Sequence, residues 1–183
     1  MIIYDGIKKD FIRDVEDDKI ALKISRTLKA KMGINVGNSE FNSWNNSMQY
    51  MYKVMTGNEI PEDSGVAIEY NIPQTSKRVD FLISGYDSNN KGNVIIVELK
   101  QWEKLSAVDG QDAIVETYVA NANRRVVHPS YQAWSYAALI RDYNEYVQDE
   151  EIELHPCAYL HNYHRNENDP LDAVQYEDIL KDA

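Results

Sequence analysis

The sequence predicts an α/β (α+β) fold, with a mixed central sheet flanked by helices, and three observations lead there. Apolar residues recur at helical spacing through the first third of the chain. The middle then changes to short β-branched runs separated by turn residues. A helix opened by proline and one more apolar run follow. The element order read this way is ααβββ(ββ)αβ, in which a meander, a helix and a returning strand build one sheet.

Residues 7–31 read as helical, with Ile7, Phe11, Val15, Ile20, Ile24 and Leu28 in register and a break near Asp17-Asp18. Gly33 after Met32 is a stop signal. Residues 39–55 read as a second helix, with Ser39 as its cap and Phe41, Trp44, Met48, Met51, Tyr52 and Met55 as its apolar stripe. Residues 65–72 and 77–86 read as strands, and Asp87 to Gly92 as an Asn- and Gly-rich turn. The β-branched run 93–99 reads as a central strand buried on both faces. Residues 113–119 and 124–128 fit a hairpin around Asn121-Ala122-Asn123. Pro129 sits where a helix needs no N–H, and that helix is expected to reach about Val147. Residues 152–160 form the last expected strand.

A chain of 183 residues suits one domain with a real core. No apolar run approaches the roughly 18–20 residues of a membrane span. The first 20 residues carry Asp5, Asp10, Asp14, Glu16, Asp17 and Asp18, unlike a secretory leader. A single cysteine, Cys157, excludes an internal disulfide and a cysteine-rich zinc site. A cytoplasmic protein is the expectation. The net charge of −11 is uneven: residues 142–183 hold 2 Lys/Arg and 12 Asp/Glu, a net of −10. The whole-chain charge argues against a high-affinity DNA binder driven by bulk charge, but not against a central site touching a few phosphates.

Asp80 lies in Arg78-Val79-Asp80-Phe81-Leu82-Ile83, and Glu98 and Lys100 end the most apolar run of the chain. Positions i and i+2 of a strand share a face, so Glu98 and Lys100 point together. Two adjacent antiparallel strands would bring Asp80 and Glu98 within reach of one ion. Charges so placed are costly unless paired or bound to a metal. Two carboxylates, the backbone carbonyl of Leu99 and waters suit Mg²⁺ or Mn²⁺. Such an ion would lower the pKa of a bound water, and Lys100 would orient that water or stabilise phosphate charge. The bland account of the same residues is a buried Asp–Lys–Glu ion cluster.

The segment from Asp80 to Glu98-Leu99-Lys100 resembles the D-(x)n-E-x-K core of the PD-(D/E)XK nuclease superfamily, whose fold is restriction-endonuclease-like. Val79, not proline, precedes Asp80. The resemblance spans about residues 39–160 and implies further site residues: Glu40 on the helix before the sheet, and the Gln132-x-x-x-Tyr136 element on the helix after it. Glu40 is equally placed to favour its helix dipole. Ser39-Glu40 with Ser43-Trp44, Val97 to Trp102, His128 to Gln132 and His155 to Tyr163 together look like the N-terminal region of bacterial Schlafen-like nuclease–helicase fusions. No G-x-x-x-x-G-K-S/T phosphate loop is present, so a helicase motor is not in this chain.

The resemblance implies a Mg²⁺- or Mn²⁺-dependent nuclease, with DNA favoured over RNA as substrate and the choice between them left open by the sequence, in phage defence or DNA processing. It also admits a homodimer and a helicase partner domain beyond the acidic stretch 161–183, with 1–38 as an N-terminal helical segment. The alternative is a catalytically silent nucleic-acid-binding or docking module of a helicase. Lys77, Arg78, Arg124 and Arg125 are the phosphate-contact candidates, with solvated surface as the plain alternative. Glu69 can face the same cleft from the preceding strand. Trp102 reads as an apolar anchor, His128 as a satisfied buried histidine, His161 and His164 as incidental, and Cys157 as core.

Overall fold

The computed structural model describes residues 1–181. Strands β1 (Tyr4–Ile7), β2 (Gly65–Asn71), β3 (Arg78–Tyr86), β4 (Gly92–Lys100) and β8 (Glu153–Leu160) form a five-stranded sheet in the order β1-β2-β3-β4-β8. All neighbours are antiparallel except β4 and β8, which run parallel. A parallel return needs a crossover, and helix α4 (Pro129–Tyr143) supplies it. A second antiparallel sheet joins β5 (Leu105–Ala107), β6 (Ile114–Val119) and β7 (Ala122–Val127). The mixed sheet with flanking helices is the predicted class.

Helices α1 (Lys8–Glu16), α2 (Ile20–Met32) and α3 (Asn38–Met55) cover one face of the large sheet. The break between α1 and α2 falls at Asp17–Lys19, where the periodicity placed it. Gly33 ends α2 in the left-handed conformation (φ +68°), returning its N–H to the Lys29 carbonyl. Phe11 of α1 meets Phe81 of β3 edge-to-face at 5.2 Å, both fully buried. Such a pair adds about 0.5–1.5 kcal/mol to its burial. Two buried charges knit this layer. Asp14 accepts from Tyr4 Oη (2.9 Å) and from Lys23 Nζ (2.6 Å). Lys8 Nζ donates to the carbonyls of Gly57 and Ile60. Helix α4 packs on the other face, with Tyr136, Ala137 and Ile140 against Ile72, Val79, Ile96 and Leu154. The third cluster, Trp102, Val115 and Tyr176, lies between the small sheet and the C-terminal segment.

Several expectations are corrected. The cap position of α3 is Gly37, without a side-chain bond, so Ser39 is already inside the first turn. Strand β4 is not buried on both faces: Ile95 is 38% exposed, because no helix reaches that part of the sheet. The long helix from Pro129 stops at Tyr143. Asn144 turns extended and caps α5 (Glu145–Asp149), its side chain accepting from the Val147 N–H. Cys157 is exposed, since β8 is the sheet's edge strand. Strands β1 and β5 were not predicted. The 161–183 stretch carries two 3-10 turns (Pro170–Asp172, Val174–Tyr176) and α6 (Glu177–Leu180), and its Tyr176 is fully buried. Among the described residues, no helix is long and apolar enough to cross a membrane.

Candidate active site

Strand register builds the site. The β3–β4 ladder pairs Phe81 with Val97 and, continued by one residue, sets Asp80 opposite Glu98. Residues directly opposite on adjacent strands share a face. On this sheet it is the face that receives α4. Asp80 Oδ2 accepts the Leu99 N–H at 2.8 Å. On the other side of β4 the Lys100 carbonyl accepts the His161 N–H. Alternation along a strand therefore turns the Leu99 carbonyl toward the Asp80 side.

Glu98 is 3% exposed. Its Oε1 accepts from Lys100 Nζ at 2.5 Å and from Gln132 Nε2 at 2.8 Å. Its Oε2 is buried and has no hydrogen-bond partner. Gln132 also donates to Tyr136 Oη at 2.7 Å, so both residues of the Gln-x-x-x-Tyr pair reach the site from one face of α4. Burial, then the charge of Asp80, pushes the Glu98 carboxyl up to about 7, against the pull of Lys100. Burial likewise raises Asp80, opposed by the Leu99 N–H and by Lys100. Tyr136 is raised by burial and by Glu98.

Glu69, which the sequence allows to face the same cleft, lies beside the cluster without lining the cleft. It is 3% exposed and lies between the pairs Ile68–Phe81 and Tyr70–Val79, hence opposite Asp80. Its backbone is left-handed (φ +58°), which costs a non-glycine residue about 1–2 kcal/mol. Strained residues of this kind cluster at functional sites. Trp44 Nε1 of α3 donates to its Oε1 at 2.7 Å, and Arg78 Nε pairs with its Oε2. Arg78 Nη2 also lies 3.4 Å from Glu40 Oε1. Burial raises the Glu69 carboxyl to about 7, opposed by Arg78 and assisted by Asp80. The signal in the sequence was its placement on the strand before Asp80; its backbone conformation has no marker there.

A cleft of about 420 Å³ opens on this cluster, lined by Asp80, Glu98, Gln132 and Tyr136 and, on its rim, by Asn71, Ser76, Lys77 and Arg78. Of the expected site residues, Asp80, Glu98, Lys100, Gln132 and Tyr136 come together, and Glu40 joins through Arg78. Arg124 and Arg125 do not line the cleft: they are exposed on β7 of the small sheet, and Arg125 faces Glu116. Trp102 is buried in the third cluster with Lys100 Nζ 5.4 Å from its ring centre, as an anchor would be. His128 is buried, with Nε2 3.2 Å from the Leu171 carbonyl and Nδ1 without a partner. His161 stacks on Tyr50, its Nε2 3.1 Å from Ser47 Oγ, and His164 is exposed.

The donor set fits a small hard cation. Asp80 and Glu98 offer oxygen donors, and the orphaned Glu98 Oε2 is the buried acceptor such an ion would satisfy. Among the described residues, no group of three His, Cys, Asp or Glu side chains gathers for a metal. Asp80 and Glu98 are the two carboxylates that line the cleft.

Comparison of the chain with protein-family models, with curated proteins and with solved structures found no match.

Proposed function

We propose that the chain is a metal-dependent nuclease of PD-(D/E)XK type that hydrolyses phosphodiester bonds, with DNA the favoured substrate. The observation that carries this reading is Glu98 Oε2, buried without a partner beside Asp80 at the floor of a cleft rimmed by Lys77 and Arg78. A purely structural ion cluster accounts for Glu98 Oε1, which Lys100 and Gln132 already occupy, but leaves Oε2 empty-handed.

Asp80, Glu98 and the Leu99 carbonyl would hold Mg²⁺ or Mn²⁺. The bound ion would supply a water of lowered pKa and offset charge on the phosphate. Lys100 stands beside Glu98 to orient the attacking water and to stabilise charge developing on phosphate oxygens. Gln132, braced by Tyr136, fixes the Glu98 carboxylate. Lys77 and Arg78 on the rim receive the neighbouring phosphates. Phage defence or DNA processing, alone or with a helicase partner, is the context we propose.

The test is cleavage of labelled single- and double-stranded DNA and RNA with Mg²⁺, Mn²⁺ or EDTA, by the native chain and by Asp80→Ala and Lys100→Ala. Cutting should require metal and fall by about a hundredfold or more in both variants. Millimolar Mn²⁺ should raise the unfolding midpoint of the native chain and not that of Asp80→Ala, since an ion bound only by the folded state stabilises it. A folded chain that neither cuts nor gains stability with metal would leave the silent docking module as the reading.

A further inference from the structure

Asp80 and Glu98 line the cleft, and Glu40 and Glu69 reach it only through Arg78 on its rim. Glu69 Oε1 accepts from Trp44 Nε1, and its Oε2, which has no hydrogen bond, lies in ion-pair contact with Arg78 Nε. The same guanidinium reaches Glu40 through Nη2. Glu98, by contrast, keeps Oε2 free. Each buried glutamate has one cation beside it, Arg78 at Glu69 and Lys100 at Glu98, but Lys100 pairs with Glu98 through Oε1 alone and leaves Oε2 without a charged partner.

We propose that Arg78 is a resident cation between Glu40 and Glu69, occupying the position to which a second divalent ion would be drawn, so that the cleft takes one ion, at Asp80 and Glu98. This rests on the metal-site reading above. Arg78 suits the role because guanidinium stays charged under all working conditions and carries five N–H donors in a planar fork. Two of those donors face Glu69 and Glu40, and the side chain remains 36% exposed on the cleft rim. The remaining donors are available to a phosphate oxygen, so one side chain both closes the second cation position and contacts substrate. Glu69 is then a positioning residue. Its left-handed backbone and its bond from Trp44 hold the carboxylate on which Arg78 is seated.

The count of bound ions tests this, independently of activity. Mn²⁺ binding to the whole chain is measured by titration calorimetry, with free Mn²⁺ followed by its spin resonance. One ion is expected for the native chain and one for Arg78→Lys, which keeps a cation there. Two are expected for Arg78→Gln, the second lost again when Glu69→Gln is added. Circular dichroism establishes that each variant is folded. Two ions on the native chain, or one on folded Arg78→Gln, would overturn the inference. Where Arg78→Gln fails to fold, Arg78→Met, which keeps the aliphatic stem and removes the charge, carries the same expectation of two ions, and one ion on that folded variant would equally overturn the inference. No ion on the native chain, or one that survives both Asp80→Asn and Glu98→Gln, would overturn the metal-site reading itself and this inference with it.

Discussion

Glu98 is buried among groups that disfavour its charge, and that makes pH a probe of the site. Its carboxyl is pushed from 4.5 up to about 7 in the folded chain, as is that of Glu69. Between about pH 4.5 and pH 7 the folded state thus keeps protons that the unfolded state has released. Stability from these groups is present below pH 4.5 and is lost as pH rises through 7. Burial lowers His128 and His161, which works in the opposite direction over an overlapping range. The informative quantity is therefore the difference between native chain and Glu98→Gln in urea unfolding without metal. Glu98→Gln should be the more stable at pH 8, by on the order of 1–3 kcal/mol, and the advantage should vanish by pH 4.5. An equal gap at both pH values would show that Glu98 is not held above its ordinary range. At this scale the sequence was readable where spacing encodes geometry. Glu98 and Lys100 at i and i+2, and Gln132 and Tyr136 at i and i+4, point together because strand and helix periods require it. The Arg78 bridge was not readable, because it joins Glu40 and Glu69 from two other elements. Arg124 and Arg125 misled because their hairpin belongs to a different sheet.

Elements were legible in proportion to their length and regularity. The β2–β3–β4 meander, α3 and β8 fall within a residue or two of their expected bounds, as their apolar patterns are long. Strand β1 has only four residues and includes Asp5 and Gly6, and β5 has three, so neither carries a pattern. Asn144 broke the expected long helix by offering its own cap, a local competition that periodicity does not register. Nor does a β-branched run disclose which face a helix will cover. Ile95 and Ile96 are neighbours in the same run, yet Ile96 is fully buried under α4 and Ile95 is 38% exposed. Ile96→Ala should cost about 2–5 kcal/mol through lost burial and a cavity. Ile95→Ala should cost about 1 kcal/mol or less. Chemical denaturation of the two variants checks this, and equal losses would mean that something covers the open face of β4.

For the whole molecule, the question is how a chain of net charge −11 would hold a polyanion. The charge is concentrated at the C-terminal end, and the described part of that end packs on the small sheet. Tyr176 is buried there, donating from Oη to the Ile114 carbonyl at 2.6 Å and accepting the Val108 N–H. The acidic stretch is thus anchored on the fold rather than available to sweep across the cleft. Near the cleft the cations are few, and two of them are partly neutralised: Arg78 by Glu40 and Glu69, Lys100 by Glu98. Lys77 adds a third on the rim. Two or three phosphate contacts release few counterions, and the salt dependence of affinity measures that number. Binding of duplex DNA to Asp80→Asn, followed by fluorescence anisotropy between 50 and 200 mM salt, should be weak. Its slope of log affinity against log salt should be about −2 to −3, since each neutralised phosphate contributes about −0.9. Arg78→Gln should make the slope shallower by about 1, and Arg124→Gln should leave it unchanged, because Arg124 lies on the small sheet and outside the cleft lining. A slope of about −6 or steeper, or one reduced by Arg124→Gln, would mean that nucleic acid tracks across the small sheet as well, and that the substrate path is longer than the cleft.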